Sequence, residues 1–339
     1  MSDATAGVRS GGGGWRPPGA IALAPINTWP PRPAATARWL FGFPGYLWPY
    51  NAFWLLVSVV TWAYLTPELD AMAQLELGWI GWLLARNLLF VAVLYGALHY
   101  YLHVRRGQGD ELRFSARPFA EDSPRFKFRS QVRDNVFHTV VYGVPTITAY
   151  EAITYWAFAN GYLGYPGLDL AASPVLFWGW FAVLVLLAPV IHALHFYFAH
   201  RLLHARFMFR RFHALHHRNI DVGPWSGLSM HPVEHALYFS TIVVQWVLAL
   251  HPVNALLQLH LAAFYPALGH SGFEKLRLGA GCDLDGGSYF HDLHHKHFEC
   301  NYGGSLVPLD QVFGTFHDGT DEAHARMRAR IEARRRANA

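Results

Sequence analysis

Four long apolar segments constrain the fold of this chain more than any other feature of its sequence. They cover residues 47–66, 79–103, 137–159 and 174–199. Each approaches the roughly 20 residues that an α-helix needs to cross a bilayer. Because a membrane interior offers no water to backbone polar groups, such segments must be helical. The sequence therefore predicts an all-α integral membrane protein with about four transmembrane helices.

The charges between these segments predict their orientation. Loops 67–78 and 160–173 contain acidic residues but no Lys or Arg, whereas loop 104–136 and the stretch after the fourth segment are rich in arginine. Arginine-rich loops stay on the cytoplasmic side of a membrane. We therefore expect both termini to be cytoplasmic, in a bacterial inner membrane or, in a eukaryote, the endoplasmic reticulum.

The whole chain is predicted to divide into four parts. Residues 1–37 are rich in Gly, Pro and Ala and are predicted to be a disordered tail. Residues 38–136 hold the first two transmembrane helices and the basic loop, and residues 319–339 form a basic C-terminal helix. Within the intervening part, 137–318, the apolar stretch 236–268 is split by a proline and is predicted to be a hairpin that dips into the membrane.

Cysteine usage and charge exclude several classes of protein. The chain has two cysteines, Cys282 and Cys300, and no Cys-x-x-Cys pair, so neither a disulfide framework nor a thiolate zinc site is expected. The net charge of +4 is modest, and the basic residues lie in loops. We therefore expect no nucleic-acid partner.

Histidines in the second half of the chain are grouped at helical spacing. Positions i, i+3 and i+4 lie on one face of a helix, so each group directs its imidazoles to one side. Clustered neutral imidazoles bind zinc, iron, copper or nickel. The sequence thus predicts a metal centre in a cytoplasmic helical cap beyond the fourth helix. The groups are His200 and His204; His213, His216 and His217; and His291, His294 and His295, with His270 between the last two.

The number of imidazoles predicts two metals. Zinc takes about four ligands, so nine imidazoles exceed what one ion needs. Acidic side chains often bridge two metals or orient their histidine ligands. By sequence, the nearest acidic candidates are Glu234, Glu274 and Asp292.

The order of these groups resembles the fatty acid hydroxylase/sterol desaturase superfamily. The resemblance covers about residues 137–318, which we take as the catalytic domain. Four further motifs fit the superfamily pattern: His231-Pro232-Val233-Glu234, Gly269-His270-Ser271-Gly272, Asn301-Tyr302-Gly303 and Asp310-x-x-Phe313-Gly314-Thr315.

This resemblance implies a membrane-bound non-haem di-iron oxygenase. Such an enzyme uses O2 and external electrons to hydroxylate or desaturate a lipid, here a sterol or hopanoid, a fatty acyl chain or a sphingolipid. It implies two iron ions, with zinc as the alternative in purified protein, and a ferredoxin or b-type cytochrome with its reductase as electron donor. The implied metal ligands are His200, His204, His213, His216, His217, His231, His270, His291, His294 and His295. The roles of four further histidines stay open: His192, His195, His235 and His297.

Three aromatic residues of the hairpin are candidates to line the path of the lipid. They are Phe239, Trp246 and Phe264.

Two other functions compete with this interpretation. His231, Glu234 and His235 fit the His-x-x-Glu-His pattern of a zinc metallopeptidase, which leaves the other groups unexplained. A metal transporter would place its histidines near the bilayer midplane, whereas these follow the fourth helix.

Overall fold

The computed structural model describes residues 7–9, 14–163, 173–279 and 282–337, and it is mostly helical. Two short antiparallel strand pairs depart from the all-α prediction. The two strands of the second pair run antiparallel. Gly279, at the end of the first of them, has a φ of 154°, a backbone conformation that glycine adopts readily and that an α-helix does not contain. The helices are α1 (Pro33–Phe41), α2 (Ala52–Leu65), α3 (Leu77–His99), α4 (Gln131–His138), α5 (Val144–Ala159), α6 (Pro174–Leu203), α7 (Arg206–Met208), α8 (Pro232–Phe239), α9 (Val243–Leu248), α10 (Pro252–Gly269), α11 (Ser288–His297), α12 (Leu309–Val312) and α13 (Asp321–Ala337). The strands are β1 (Val8–Arg9), β2 (Trp15–Arg16), β3 (Lys275–Gly279) and β4 (Cys282–Asp285).

Two helices in the described part of the chain are long and apolar enough to cross a membrane. They are α6 and α3, the latter continuing to Val104. Helix α6 has 30 residues and is therefore about 45 Å long, which exceeds a hydrocarbon core of about 30 Å. Its large side chains Trp178, Leu186 and Leu187 are exposed. An apolar surface of this kind suits contact with lipid.

The other two predicted spans are shorter helices. Helix α2 has 14 residues and α5 has 16. Each is preceded by an adjoining helical turn, Leu47–Asn51 and Thr139–Gly143 respectively. The count of four transmembrane helices therefore stays a prediction.

A buried ion pair joins α3 to α5. Arg86 donates to one carboxylate oxygen of Glu151, and the Asn87 amide donates to the other (2.8 Å). Both charged side chains are 2% exposed. Charges within a bundle of apolar helices are tolerated when they pair with each other. Because separating this pair would leave both charges buried alone, it fixes the relative orientation of α3 and α5.

Helix α10 forms the centre of the bundle. It packs against α2, α3, α5 and α6, and almost all of its side chains are buried. Tyr95 and Tyr238 donate to its backbone carbonyls (2.7 and 2.8 Å). The helical backbone is interrupted before Pro252, between α9 and α10. At this point the His251 ring accepts from the N–H of Val253 (3.2 Å). The predicted hairpin is thus a helical one with a buried return helix, and its depth in a membrane stays a prediction.

Part of the predicted disordered tail contacts the rest of the chain. Residues 1–6 and 10–13 lie outside the described residues. Trp15 is 6% exposed, its ring contacts Phe114 at a tilt, and its backbone N–H donates to the backbone carbonyl of Arg113 (2.7 Å). The backbone N–H of Ile21 donates to the backbone carbonyl of Asp318 (2.8 Å). These contacts join the segment to the rest of the chain, and the disorder of residues 1–37 stays a prediction.

Thr320 caps the start of the C-terminal helix α13. The hydroxyl of Thr320 accepts from the N–H of Ala323 (3.2 Å). Ala323 and Met327 are buried, and Arg334 pairs with Glu299 (2.9 Å). One face of this basic helix is therefore docked on the segment that follows α11.

Candidate metal centre

Nine histidines from four separate segments converge beyond the C-terminal end of α6. The segment after α7 departs from α-helical geometry: the N–H of Ala214 donates to the carbonyl of Phe209 (2.8 Å), a wider turn of a kind found at functional sites. The four contributions are His200 and His204 from the end of α6, His213, His216 and His217 from the turns after α7, His270 from the end of α10, and His291, His294 and His295 from α11.

The rings form two groups. Within each group, one ring nitrogen of every member lies within 4.8 Å of all the others. The five-histidine group is His200, His204, His213, His217 and His294, and the four-histidine group is His216, His270, His291 and His295. The sequence spacing does not predict this division, because each group mixes residues from several segments.

The Nε2 atoms of each group face one another at close range. In the five-histidine group they are 3.1 Å apart between His200 and His213, 3.0 Å between His217 and His213, and 3.1 Å between His294 and His204. In the four-histidine group they are 3.3 Å apart between His270 and His216 and 3.0 Å between His291 and His270. The groups are adjacent, since the rings of His217 and His295 are 4.8 Å apart.

Hydrogen bonds at the outer nitrogens fix the ring protons. His200 Nδ1 donates to the carbonyl of Tyr302 (2.6 Å), and His294 Nδ1 donates to the carbonyl of Cys300 (2.6 Å). His270 Nδ1 donates to Pro266 (3.1 Å). A carbonyl only accepts, so in each of these neutral rings the proton sits on Nδ1. Their Nε2 atoms therefore carry lone pairs directed into the groups.

Ring nitrogens that converge in this way suit a metal ion bound between them. Metal–nitrogen bonds of about 2.0–2.1 Å place tetrahedral ligands about 3.3 Å apart and octahedral ones about 2.9 Å apart. The observed 3.0–3.3 Å between Nε2 atoms falls in this range. The two groups thus fit two first-row transition ions.

Burial prepares these rings for metal binding. It lowers the pKa of His213, His217 and His294 well below the usual value, and neighbouring imidazoles lower it further. Burial also lowers the pKa of His270 to about 3. The imidazoles are therefore neutral at physiological pH, which is the form that binds metals.

One carboxylate belongs to the centre. Glu234 on α8 is 2% exposed, and its Oε1 lies 2.6 Å from Nδ1 of His213. Burial raises the pKa of Glu234 well above its usual range, so a positive charge beyond His213 would keep the carboxylate ionised. A carboxylate in this position orients the histidine and makes it a stronger ligand.

The other two acidic candidates lie apart from the groups. Asp292 pairs with Lys296 (2.6 Å), and burial raises its pKa. Glu274 is half-buried beside the β3–β4 pair, where its N–H donates to Leu112 (3.1 Å).

His231 is the one predicted ligand that the structure does not bring into either group. It caps α8, with its Nδ1 accepting from the N–H of Val233 (3.1 Å). Pro232 begins the helix directly after it. The ring of His235 instead contacts the carbonyl of Leu228 (3.0 Å). The rings of His231 and His235 therefore do not come together, whereas a metallopeptidase of this pattern requires both to bind the same zinc ion.

The backbone contacts around Tyr302 are functional features that residue types did not predict. Asp310 accepts from the N–H groups of Tyr302 (2.9 Å) and Gly303 (2.8 Å) and from the hydroxyl of Thr315 (2.5 Å). This holds in place the carbonyl to which His200 donates. The sequence shows the Asn301-Tyr302-Gly303 motif but not that its backbone orients a histidine. Every residue has a backbone carbonyl, so the residue type at 302 does not predict this contact.

A cavity of about 820 Å³ leads to the histidines. It is mostly apolar, and Phe264 lines it as predicted. Phe239 and Trp246 do not: Phe239 is core and 0% exposed, and Trp246 donates to Thr154 (2.8 Å). At its inner end the cavity contacts both groups and Glu234, through His200, His213, His216, His270 and His291.

Comparison with known proteins agrees with this geometry. Residues 185–315, which contain all nine grouped histidines, match the Fatty acid hydroxylase family. The match to these residues and the similar proteins support the fatty acid hydroxylase/sterol desaturase superfamily. The prediction of this superfamily from the histidine spacing is thus confirmed. No solved structure matches the chain significantly.

Three similar proteins illustrate the range of the superfamily. A Delta(7)-sterol 5(6)-desaturase of Gibberella zeae is 24% identical over 67% of this chain and 64% of its own length. A very-long-chain aldehyde decarbonylase of Arabidopsis thaliana is 28% identical over 48% of this chain and 28% of its own. A methylsterol monooxygenase of Arabidopsis thaliana is 28% identical over 43% and 56%. The chain thus spans less than two thirds of the length of each of these relatives.

Proposed function

We propose that this protein is a membrane-bound di-iron oxygenase that hydroxylates or desaturates a lipid. The observation that carries the proposal is the arrangement of nine Nε2 atoms in two adjacent groups at one end of an apolar cavity. The superfamily supports it, because the relatives are named as desaturases and monooxygenases of lipids.

In this proposal the five-histidine group holds one iron and the four-histidine group holds the other. When bound, the pair of irons supplies reductive activation of O2 for attack on a C–H bond. Imidazole ligands suit iron, and neutral ligands add no negative charge to the centre. His231 is not a ligand in this assignment.

The residues of the chain orient the metal ligands, shield the reacting C–H bond from water and position the substrate. The carbonyls of Tyr302 and Cys300 and the carboxylate of Glu234 hold three ligand rings in fixed orientations. The apolar cavity excludes water from the reacting C–H bond and binds the hydrocarbon part of the substrate. Because members of both groups line the cavity, a hydrocarbon bound there would lie beside both proposed metals.

The proposed entrance for the lipid is the part of the cavity beside α1. It is lined by Trp39, Phe43 and Tyr46 around α1, and Phe43 is 61% exposed. Aromatic side chains favour the interface between water and hydrocarbon. We propose that a sterol, hopanoid, fatty acyl chain or sphingolipid enters here from the cytoplasmic leaflet.

The remaining parts of the proposal concern partners and location. The electrons come from a ferredoxin or a b-type cytochrome with its reductase. The protein lies in a bacterial inner membrane, or in the endoplasmic reticulum of a eukaryote, with both termini and the metal centre in the cytoplasm. The arginine-rich loops support this orientation.

Lipid mass spectrometry tests the proposed reaction. Host cells with the gene are compared with cells that carry the His294→Ala variant. We expect one lipid class in the first culture to gain one oxygen or lose two hydrogens, and this change to vanish in the variant. Identical lipids in the two cultures, with both proteins present in the membrane, would contradict the proposal.

A further inference from the structure

Three histidines outside the two metal groups meet beside the C-terminal helix. His297 ends α11, His317 precedes α13, and His324 lies in the first turn of α13. Their ring centroids are 4.9–5.8 Å apart, and one nitrogen of each lies within 4.8 Å of the others. We call them the third group.

His317 has an unsatisfied nitrogen in this cluster. The ring is 2% exposed. Its Nδ1 accepts from the N–H of Gly319 (3.0 Å), while its Nε2 is buried without a hydrogen-bond partner among the described residues. A buried polar atom without a partner is rare and costly in a folded protein. A metal ion shared with the two neighbouring imidazoles would bind this nitrogen in place of its proton.

We infer that the third group binds a divalent transition ion of the zinc class. Imidazole nitrogens select such ions over calcium or magnesium, which prefer oxygen. Three protein ligands leave a fourth position of a tetrahedral zinc ion for water. This site is separate from the proposed di-iron centre and does not depend on it.

Local contacts indicate that this site is weaker than the di-metal centre. The hydrogen bond from Gly319 favours the tautomer with the proton on Nε2. A metal at Nε2 therefore displaces this proton and breaks the hydrogen bond. Lys296 beside His297, and Arg326 and Arg330 near His317, add positive charge to the surroundings of the third group, which the single carboxylate of Asp318 offsets only in part. We therefore expect zinc to exchange at this site under conditions that leave the centre loaded.

An ion bound by the third group would link α13 to the segment after α11 that orients two ligand rings of the metal centre. Asn301 donates to the carbonyl of His317 (2.9 Å) and accepts from its N–H (2.7 Å). Asn301 is adjacent to both residues whose carbonyls orient ligand rings, Cys300 and Tyr302. The ion would thus hold helix and loop together without touching the substrate.

Zinc titration of the full-length protein, with its centre already loaded, tests this inference. His324→Ala is compared with the wild type and with Glu332→Gln, an exposed residue of the same helix. We expect the wild type and Glu332→Gln to bind one zinc ion more than His324→Ala, or to bind it at least about tenfold more tightly. Equal zinc binding by all three proteins would overturn the inference.

Trypsin digestion supplies a second readout. Helix α13 contains several arginines, and trypsin cuts a helix only when it opens. We expect zinc to slow cleavage within α13 in the wild type and in Glu332→Gln but not in His324→Ala. Equal protection in all three would contradict the third group. Because each readout compares variants, both remain valid if the di-iron assignment fails.

Discussion

His200 and Tyr302 are joined by a hydrogen bond from Nδ1 of the ring to the backbone carbonyl (2.6 Å). It connects the end of the long apolar helix α6 to the loop that follows α11. Since these segments are distant in the sequence, the bond aligns ligands from both. The stability of that loop therefore governs the geometry of the metal groups.

Asp310→Asn should weaken metal binding without touching a ligand. The carboxylate of Asp310 accepts from two backbone N–H groups and one hydroxyl. An amide has one oxygen and cannot accept all three, so the Tyr302 carbonyl loses its fixed position. We expect metal affinity to fall about 10–100-fold in a competition assay with a chelator.

The matched control is Asp122→Asn, which removes an exposed carboxylate (86% exposed) from a distant loop. It should keep wild-type affinity. An Asp310→Asn protein that binds metal as tightly as this control would refute the role of the loop.

Filling the cavity should separate metal binding from turnover. Ala193 on α6 lines the cavity, so Ala193→Phe places a ring where the lipid is proposed to bind. We expect unchanged metal content and a loss of turnover of about a hundredfold, because misplacing a substrate by about 1 Å has costs of this order. The control is Ala182→Phe on the exposed surface of the same helix. Full turnover in Ala193→Phe would show that the substrate binds elsewhere.

Glu274 should make the folded protein less stable at high pH. Burial raises the pKa of Glu274 to about 7, whereas in an unfolded chain it is about 4.3. The unfolded state therefore loses its proton first, and the free energy of unfolding falls as pH rises from about 4.3 to about 7. Glu274→Gln cannot ionise and should be more stable at pH 8 by up to about 3 kcal/mol.

Thermal unfolding at pH 8 and at pH 4 measures this difference. The variant should melt above the wild type at pH 8, and the two should converge at pH 4. A constant difference between the two proteins at both pH values would show that the effect of the substitution is not ionisation.

The metal groups could be anticipated because their ligands are side chains at regular spacing. Nine of the ten predicted ligands converge, even though the turn at His213 is not α-helical. Helix geometry could not predict their division, since His216 and His217 are neighbours in sequence but belong to different groups. That division depends on how separate segments pack.

Other features depended on contacts that no local pattern records. His231 fits the superfamily motif, yet it serves as the cap of α8 because a proline follows it. Trp15 joins a Gly- and Pro-rich segment to a loop about a hundred residues later. The third group joins α11 to α13, whose docking cannot be read from the basic composition of that helix.

The metal content of the purified protein tests the central claim most directly. It is measured in the His324→Ala background, so that the third group cannot contribute, with His217→Ala and His295→Ala added separately. We predict two transition ions per chain, with one lost in each variant because each substitution removes a ligand from a different group. A single ion per chain that is lost in both variants would contradict the two-metal account.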